Sequence, residues 1–454
     1  MLNLLKKQNY KRFRRMVALI DGEHYPQVTN DAIKKLGKEF DGELVGIIFL
    51  GGTEKISSGK FSDFFAYEVF VIKNIVKDFT VALEKFKPDL VFDLSDQPVV
   101  NHDIRMKIAS FCFYKNASYM GTDFFFENPS GNMKMDIPSI SVIGTGKRIG
   151  KTAISSFIAR SYKKKGLEVI VVAMGRGGPE KPQLIRGSEV EITPGFLLSL
   201  NEQGLHASSD YIEDALMSKI TTIGCRRCGG GFGGKVFLSN VTEGAKLASE
   251  LKPDLVIMEG SGASLPDVDT HTSICVIGAN QKWEEIVGYL GIYRIMISQT
   301  IILTMCEKPV ADFKNIEILL KNINEVNPSA SIFLSIFRPY PLGELEGKKV
   351  VVGMTAKSIM QDKIKNYLEK KYKCSIKGMT FNLSDRPKLH DEIRKFDDFD
   401  VFLSELKAAA VDVITDYSVR HNKEVIYMNN VPSFRGGNKK FISYLSDLFN
   451  NISS

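Results

Sequence analysis

Short runs rich in Val, Ile and Leu recur along the chain, each closed by Gly, Asp or Ser and each followed by a longer mixed stretch. That alternation predicts strands separated by helices, and so a largely parallel sheet with helices on its faces. The runs Val17–Ile20, Leu44–Leu50 and Leu90–Leu94, the last introduced by Lys87-Pro88-Asp89, predict a doubly wound N-terminal domain over 16–136. Ser139–Ile143, Glu168–Ala173, Asp254–Met258, Ser273–Ile277 and Ile295–Ser298 predict a second unit over 137–345. Lys348–Gly353, Asp398–Ser404 and Glu424–Met428 predict a third α/β segment over 346–454.

The first run of the second unit leads into Gly144-Thr-Gly-Lys-Arg-Ile-Gly-Lys-Thr152, and a helix-like stretch, Ala153 to Lys165, follows. A triphosphate-binding loop needs that setting. Glycines let backbone N–H groups turn inward around a phosphate, a lysine neutralises its outer oxygens, and a hydroxyl serves Mg2+. Gly144, Thr145, Gly146, Lys147, Arg148, Gly150, Lys151 and Thr152 are therefore the expected nucleotide-binding residues. Five residues rather than four separate Gly144 from Gly150, so the loop is longer than the common GxxxxGK[ST] form. A chance Gly-Lys-Thr in a glycine-rich turn is the plain alternative, and the flanking strand and helix weigh against it. Farther on, the apolar run 254–258 presents Glu259 at its carboxyl end, ahead of Gly260-Ser-Gly262. Ligands of open parallel sheets bind at that edge, so Thr152 and Glu259 are the expected metal pair. A Glu259 that only caps a helix is the alternative. The expected fold is α/β: a central P-loop NTPase domain with a parallel sheet, flanked by N- and C-terminal Rossmann-like segments.

At 454 residues, 44% hydrophobic and 25% charged, the chain has the composition of a multidomain globular protein, and no segment reaches the ~18 unbroken apolar residues of a membrane span. Its net charge of +7 is concentrated at the start: residues 1–15 hold six Lys and Arg and no acid, so the remainder stands at +1. That leader has no signal-peptide core and is expected to be a disordered extension or an upstream start, with a nucleic-acid or membrane arm as the alternative. Six scattered cysteines predict a reducing, cytoplasmic setting without a disulfide framework. Cys225-X-X-Cys228 has no second cysteine pair in the chain, so small packing residues in a glycine loop are expected, with a zinc site shared across a dimer interface or a short-range disulfide as the alternative.

Two loops combine glycine with arginine, Met174–Pro182 and Ile223–Lys235. Guanidinium forks beside exposed amides suit phosphate or carboxylate oxygens. Arg176, Lys181, Arg186, Arg226, Arg227 and Lys235 are the substrate-binding candidates, each of which could singly be a solvated surface charge. His24, in the turn Asp21-Gly-Glu-His-Tyr-Pro26 after the first strand, joins them by its place at a sheet edge. Asn280-Gln-Lys-Trp283 lacks the aspartate of a guanine-specifying motif, which favours ATP. Leu94-Ser-Asp-Gln-Pro98 and Leu383-Ser-Asp-Arg-Pro387 echo each other, as either a duplication or two strand-to-helix turns.

The lengthened loop and Met258-Glu-Gly-Ser-Gly-Ala263 resemble the GTDTxVGKT and VEGAGG motifs of dethiobiotin synthetase, in the class that also holds the MinD-like ATPases. Lys147 is placed like the extra lysine of MinD-like loops, one residue out of register. The opening Leu19-Ile-Asp-Gly-Glu-His-Tyr-Pro26, this core and the Cys-Arg-Arg-Cys-Gly-Gly-Gly-Phe-Gly-Gly loop together resemble the cyclic 2,3-diphosphoglycerate synthetases of methanogenic archaea and some bacteria. That resemblance implies ATP- and Mg2+-dependent closure of 2,3-diphosphoglycerate to its cyclic pyrophosphate, releasing ADP and phosphate, with K+ a further candidate cation. Lys147, Lys151 and Glu259 are then the expected catalytic residues, acting by electrostatics on a small anionic substrate, in a homodimer that engages neither nucleic acid nor membrane. A carboxylate ligase of the dethiobiotin type, which needs an amine co-substrate, and a partner-stimulated ATPase switch are the competing readings.

Overall fold

The computed structural model describes residues 13–52, 54–55, 61–129, 131, 133–203 and 209–453. The leader expected over 1–15 thus lies outside the described residues up to 12; Phe13 is buried and Arg15 opens the first strand. The chain forms two compact units, one of residues 1–130 with 282–297 and 321–328, the other of the remainder.

In the first unit β1 (Arg15–Ile20), β2 (Glu43–Phe49), β3 (Val69–Val71), β4 (Leu90–Asp93), β5 (Ser118–Met120) and β6 (Phe125–Phe126) form a sheet in the order β3-β2-β1-β4-β5-β6. Only β6 is antiparallel. Helices Pro26–Glu39, Ile75–Phe86 and His102–Tyr114 connect the strands. The strand order reverses between β1 and β4, and the carboxylates at their ends are consumed locally. Asp21 accepts from the amides of Glu23 (2.9 Å) and Asp96 (2.5 Å). Asp93 accepts from Arg105 Nε (3.2 Å) and the Tyr119 hydroxyl (2.5 Å).

The second unit holds a thirteen-stranded sheet. Its strands are β7 (Ser139–Gly144), β8 (Val169–Gly175), β9 (Gln183–Arg186), β10 (Thr221–Cys228), β11 (Leu238–Ser239), β12 (Leu255–Glu259), β13 (Thr272–Gly278), β14 (Thr300–Thr304), β15 (Ser331–Pro341), β16 (Lys349–Gly353), β17 (Ser375–Thr380), β18 (Val401–Glu405) and β19 (Glu424–Phe434). Strands β10-β8-β12-β7-β13-β14-β15 are parallel, and β7 to β8 and β12 to β14 are buried along nearly their whole length, as expected of strands covered on both faces.

β15 joins what the sequence separates at 345. Ser331–Leu334 pairs with β14, whereas Ser335–Pro341 runs past the end of β14 and pairs antiparallel with β19. Strands β19, β18, β16 and β17 are mutually parallel, so they run against the P-loop strands. The carboxyl ends of the two strand sets therefore face one another, and a crevice between them receives loops from both.

Two expectations shift. The strand expected at 295–298 lies at 300–304, and Gly291–Met296 is helical, because a short apolar run carries no period of its own. Thr221–Cys228 is a strand rather than part of a glycine loop. Cys225 and Cys228, three apart on it, point to opposite faces: Cys225 is buried, Cys228 exposed. No cluster of three or more His, Cys, Asp or Glu that could hold a metal occurs among the described residues. None of the described helices is long and apolar enough to cross a membrane.

Candidate active site

β7 is the central strand, and the phosphate loop leaves its carboxyl end. Close packing decides its glycines. A Cβ on Gly144 would lie 2.7 Å from Ile149 Cδ1 and 2.9 Å from the Val276 carbonyl; one on Gly150, at φ 91°, would lie 2.3 Å from the Phe337 ring. Arg148 takes a left-handed φ of 60°, which turns the loop. Thr145 ties the loop down, its N–H donating to Val276 O (3.2 Å) and its hydroxyl to Gln281 Oε1 (2.6 Å). Lys151 donates to Gly146 O at 2.6 Å and is buried. Helix Lys151–Lys163 starts at Gly150 with no acid in its first turn, so its positive end is open to an anion.

Thr152 Oγ1 donates to Glu259 Oε1 at 2.8 Å, which brings the expected metal pair together. Glu259 is 4% exposed, and its other oxygen, beside Asp214, receives no donor among the described residues. Beside it stands Asp214, on helix Asp210–Ser218, 1% exposed. Its Oδ1 accepts from Ser156 at 2.7 Å, and its Oδ2 receives no donor among the described residues. Burial raises both carboxyl pKa values, and the neighbouring Glu259 charge raises that of Asp214 further. Two buried carboxylates next to a hydroxyl supply the oxygen donors Mg2+ takes, one or two carboxylates with phosphates completing its shell.

The opposite side of the loop is basic. Lys147 has its pKa lowered by burial and then by the charges of Arg176 and Arg148, with Arg227 also near. Arg227 is 7% exposed and donates through Nη2 to Ser261 O at 2.9 Å and through Nη1 to Gly229 O at 3.0 Å. At Gly262, φ 63°, a Cβ would come within 3.4 Å of Arg227 Nη2 and 3.5 Å of Arg176 Nη2, so the turn after Glu259 packs under both guanidiniums. These features line or border one cavity of about 1030 Å³.

Three family models match in succession: the cyclic 2,3-diphosphoglycerate synthetase N-terminal domain over 15–127, its P-loop domain over 139–336 and its C-terminal domain over 341–431. A cyclic 2,3-diphosphoglycerate synthetase of Methanothermus fervidus is 44% identical over 434 residues, 92% of this chain and 93% of that one. The chain belongs to the cyclic 2,3-diphosphoglycerate synthetase family. Other synthetases of that name, from Thermococcus kodakarensis (45% over 417 residues, 92% and 94% covered) and Rubrobacter xylanophilus (41% over 422, 93% and 95%), align along the same span. Among solved structures, LpxK from Aquifex aeolicus in complex with ATP aligns over 70% of this chain and 89% of that one, at 12% identity and a TM-score of 0.41.

Not every candidate reaches the cavity of this family member. Lys147, Arg148, Lys151, Thr152, Arg176 and Glu259 line it, and Arg227 borders it. Arg186 does not come near: β9 pairs it with Thr221 at the amino end of β10, a strand length of roughly 20 Å from the carboxyl edge, and it faces Glu189 at 3.9 Å. Arg226, next to Arg227 on a strand, points to the other face; Lys181 and Lys235 are exposed and outside the lining. His24 belongs to the first unit, where its Nδ1 lies 2.9 Å from Asp21 Oδ1.

The C-terminal strands supply residues that the motifs do not announce. Lys357, Ser384, Arg386 and Lys407 line the cavity from the ends of β16, β17 and β18. Arg148 Nη2 donates to Ser384 Oγ at 2.9 Å, tying the phosphate loop to that side. Lys407 pairs with Glu213 at 3.1 Å, and burial pushes the Glu213 carboxyl up to about 7. The Ser-Asp-Arg-Pro echo is a helix start: Asp385 caps helix Arg386–Ile393, with Pro387 in its first turn. In the other copy the helix begins only at His102, capped by Asn101, so the two turns are not equivalent.

Proposed function

We propose that the protein closes 2,3-diphosphoglycerate into its cyclic pyrophosphate at this cavity, using ATP, in the cytoplasm. Family membership supports the reaction, and the convergence of Lys147, Arg148 and Arg176 on the phosphate loop opposite Glu259 is the observation that carries it. Joining two phosphates of one small molecule beside ATP means holding many negative charges together. A carboxylate substrate would need fewer cations.

The loop amides and Lys151 hold the β- and γ-phosphates, with Thr152 and Glu259 holding Mg2+ and Asp214 behind them. Bound there, Mg2+ neutralises phosphate charge and fixes the orientation of the transferred group. Lys147, Arg176 and Arg227 draw the substrate phosphates against the γ-phosphate, and Arg148, Arg386 and Lys407 close the other side. A substrate phosphate oxygen attacks the γ-phosphorus and ADP leaves. An oxygen of the neighbouring phosphate then attacks the activated substrate phosphorus, forming the ring P–O–P bond. The terminal phosphate departs as inorganic phosphate, carrying the oxygen lost on closure. No side-chain nucleophile is needed; orientation and charge neutralisation do the work. Pairing of two chains into a homodimer, without nucleic acid or membrane, completes this reading.

A phosphate-release screen tests it. Release is expected with 2,3-diphosphoglycerate and MgATP and no amine. Release that requires an amine and a carboxylate, or a protein partner and no substrate, would replace the cyclase with a ligase or a switch.

A further inference from the structure

The cavity has two chemically distinct flanks. Around Lys147 and Arg176 it is cationic, whereas Met305, Val310, Met354, Met360 and Ile364 face it from the ends of β14 and β16 and the helix after β16. A triphosphate and a bisphosphorylated three-carbon acid are anionic from end to end and have nothing to set against thioether and aliphatic groups. The flat, weakly polar body among the reactants is the nucleobase. Met354, Met360 and Ile364 belong to one packed cluster, with Val310 against it, so the wall is part of a core and is fixed before any ligand arrives.

A polar group stands at the same place. The Asn280 side-chain oxygen is buried with no hydrogen-bond partner among the described residues. At Gly278 a Cβ would lie 2.7 Å from that oxygen and 3.1 Å from Met305 Cε, so the amide and the thioether converge. The loop carrying Asn280 is clamped on both sides, since Asn315 Nδ2 donates to Ala279 O (2.7 Å) and Gln281 O (3.1 Å). An orphaned buried acceptor asks for a donor, and a side-chain amide matches the N6 amine and N7 of adenine.

We infer that the C-terminal segment supplies half of the nucleoside site: adenine lies against Met354, Met360 and Ile364, faces Met305, and is read at its amino edge by Asn280. This rests on the assignment of the phosphate loop as the ATP site. It makes nucleotide affinity a joint property of the two strand sets, not of the phosphate loop alone.

Calorimetry on the full chain with Mg2+ separates base from phosphates by comparing ADP, IDP and inorganic tripolyphosphate. Met360→Gln, close in shape but polar, is expected to weaken ADP about five- to tenfold and tripolyphosphate less than twofold. Wild type should prefer ADP over IDP, which carries a carbonyl where adenine has its amine, by about tenfold, and Asn280→Ala should bring that ratio near one. Equal losses for ADP and tripolyphosphate, or an unchanged ADP-to-IDP ratio in Asn280→Ala, would overturn the base assignment while sparing the phosphate loop. Should Met360→Gln melt early, the Asn280→Ala ratio decides alone. Wild type that binds neither ADP nor tripolyphosphate would remove the nucleotide site itself.

Discussion

Glu259→Gln should move stability and catalysis in opposite directions. Gln keeps the shape and an oxygen that can accept from Thr152, which donates to Glu259 Oε1 at 2.8 Å, so the cradle survives. What disappears is one negative charge in a site 4% exposed and beside Asp214. Without ligand that charge is a cost: burial already raises the Glu259 pKa, and Asp214 stands next to it, buried as well. Removing an ill-compensated buried charge while keeping its shape relieves a desolvation cost, and a modest gain of about 1 kcal/mol is expected because Thr152 and Lys151 already offset part of that cost. With MgATP bound the same charge is an asset. A unit pair roughly 4 Å apart at an effective dielectric of about 20 is worth about 4 kcal/mol, which is about a thousandfold in turnover. Thermal unfolding at pH 8 without ligand and initial rates with MgATP read the two effects. A variant that melts lower than wild type and loses activity in proportion would show Glu259 to be a structural residue, and the reasoning would fail.

Lys151→Ala should abolish turnover, a loss of at least about a thousandfold, while near-ultraviolet circular dichroism stays native, since its amine reaches back to the carbonyl of its own loop, Gly146 O, at 2.6 Å. Ser384→Ala removes the 2.9 Å tie to Arg148 and should raise the KM for ATP about two- to fivefold with little change in unfolding midpoint. Tyr162→Phe deletes the 2.6 Å bond from the phosphate-loop helix to Leu445 O, and denaturant unfolding should report a loss of about 1 kcal/mol with activity retained. Glu213, pushed up to about 7 by burial, holds its proton more tightly folded than unfolded. Its contribution is therefore full below pH ~4.5 and lost as pH rises through 7, so Glu213→Gln should flatten the fall in stability between those limits by about 1–3 kcal/mol, measured by unfolding across that range.

Much of this architecture could be read from the chain because its central strands are covered on both faces. β7, β8, β12 and β13 are rich in Val and Ile and buried along nearly their whole length, and a phosphate loop leaves no freedom in where its glycines and lysine fall. β10 was hidden because Thr-Thr-Ile-Gly-Cys-Arg-Arg-Cys has neither an apolar run nor clean alternation and continues into glycines, so a strand looked like a loop. Arg226 and Arg227, adjacent in sequence, are parted by the same strand geometry. β15 is hard to read because it serves two strand sets in succession, and that junction makes the C-terminal segment the far wall of the candidate-site cavity. Asp214, Lys407 and Arg386 have no local signature; an acid on one helix becomes a partner of Glu259 only when Ser156 and β12 are brought beside it. Lys181, Arg186 and Lys235 show the converse, since basic residues in or near glycine-rich loops gather at a site only where the strand register allows it.

The cyclisation itself is tested most directly by phosphorus NMR of the protein with MgATP and 2,3-diphosphoglycerate. A new pyrophosphate signal should grow at the expense of both substrate phosphomonoester signals, with one ADP and one inorganic phosphate formed for each ring closed. ADP and phosphate that accumulate while both substrate signals persist would contradict the account.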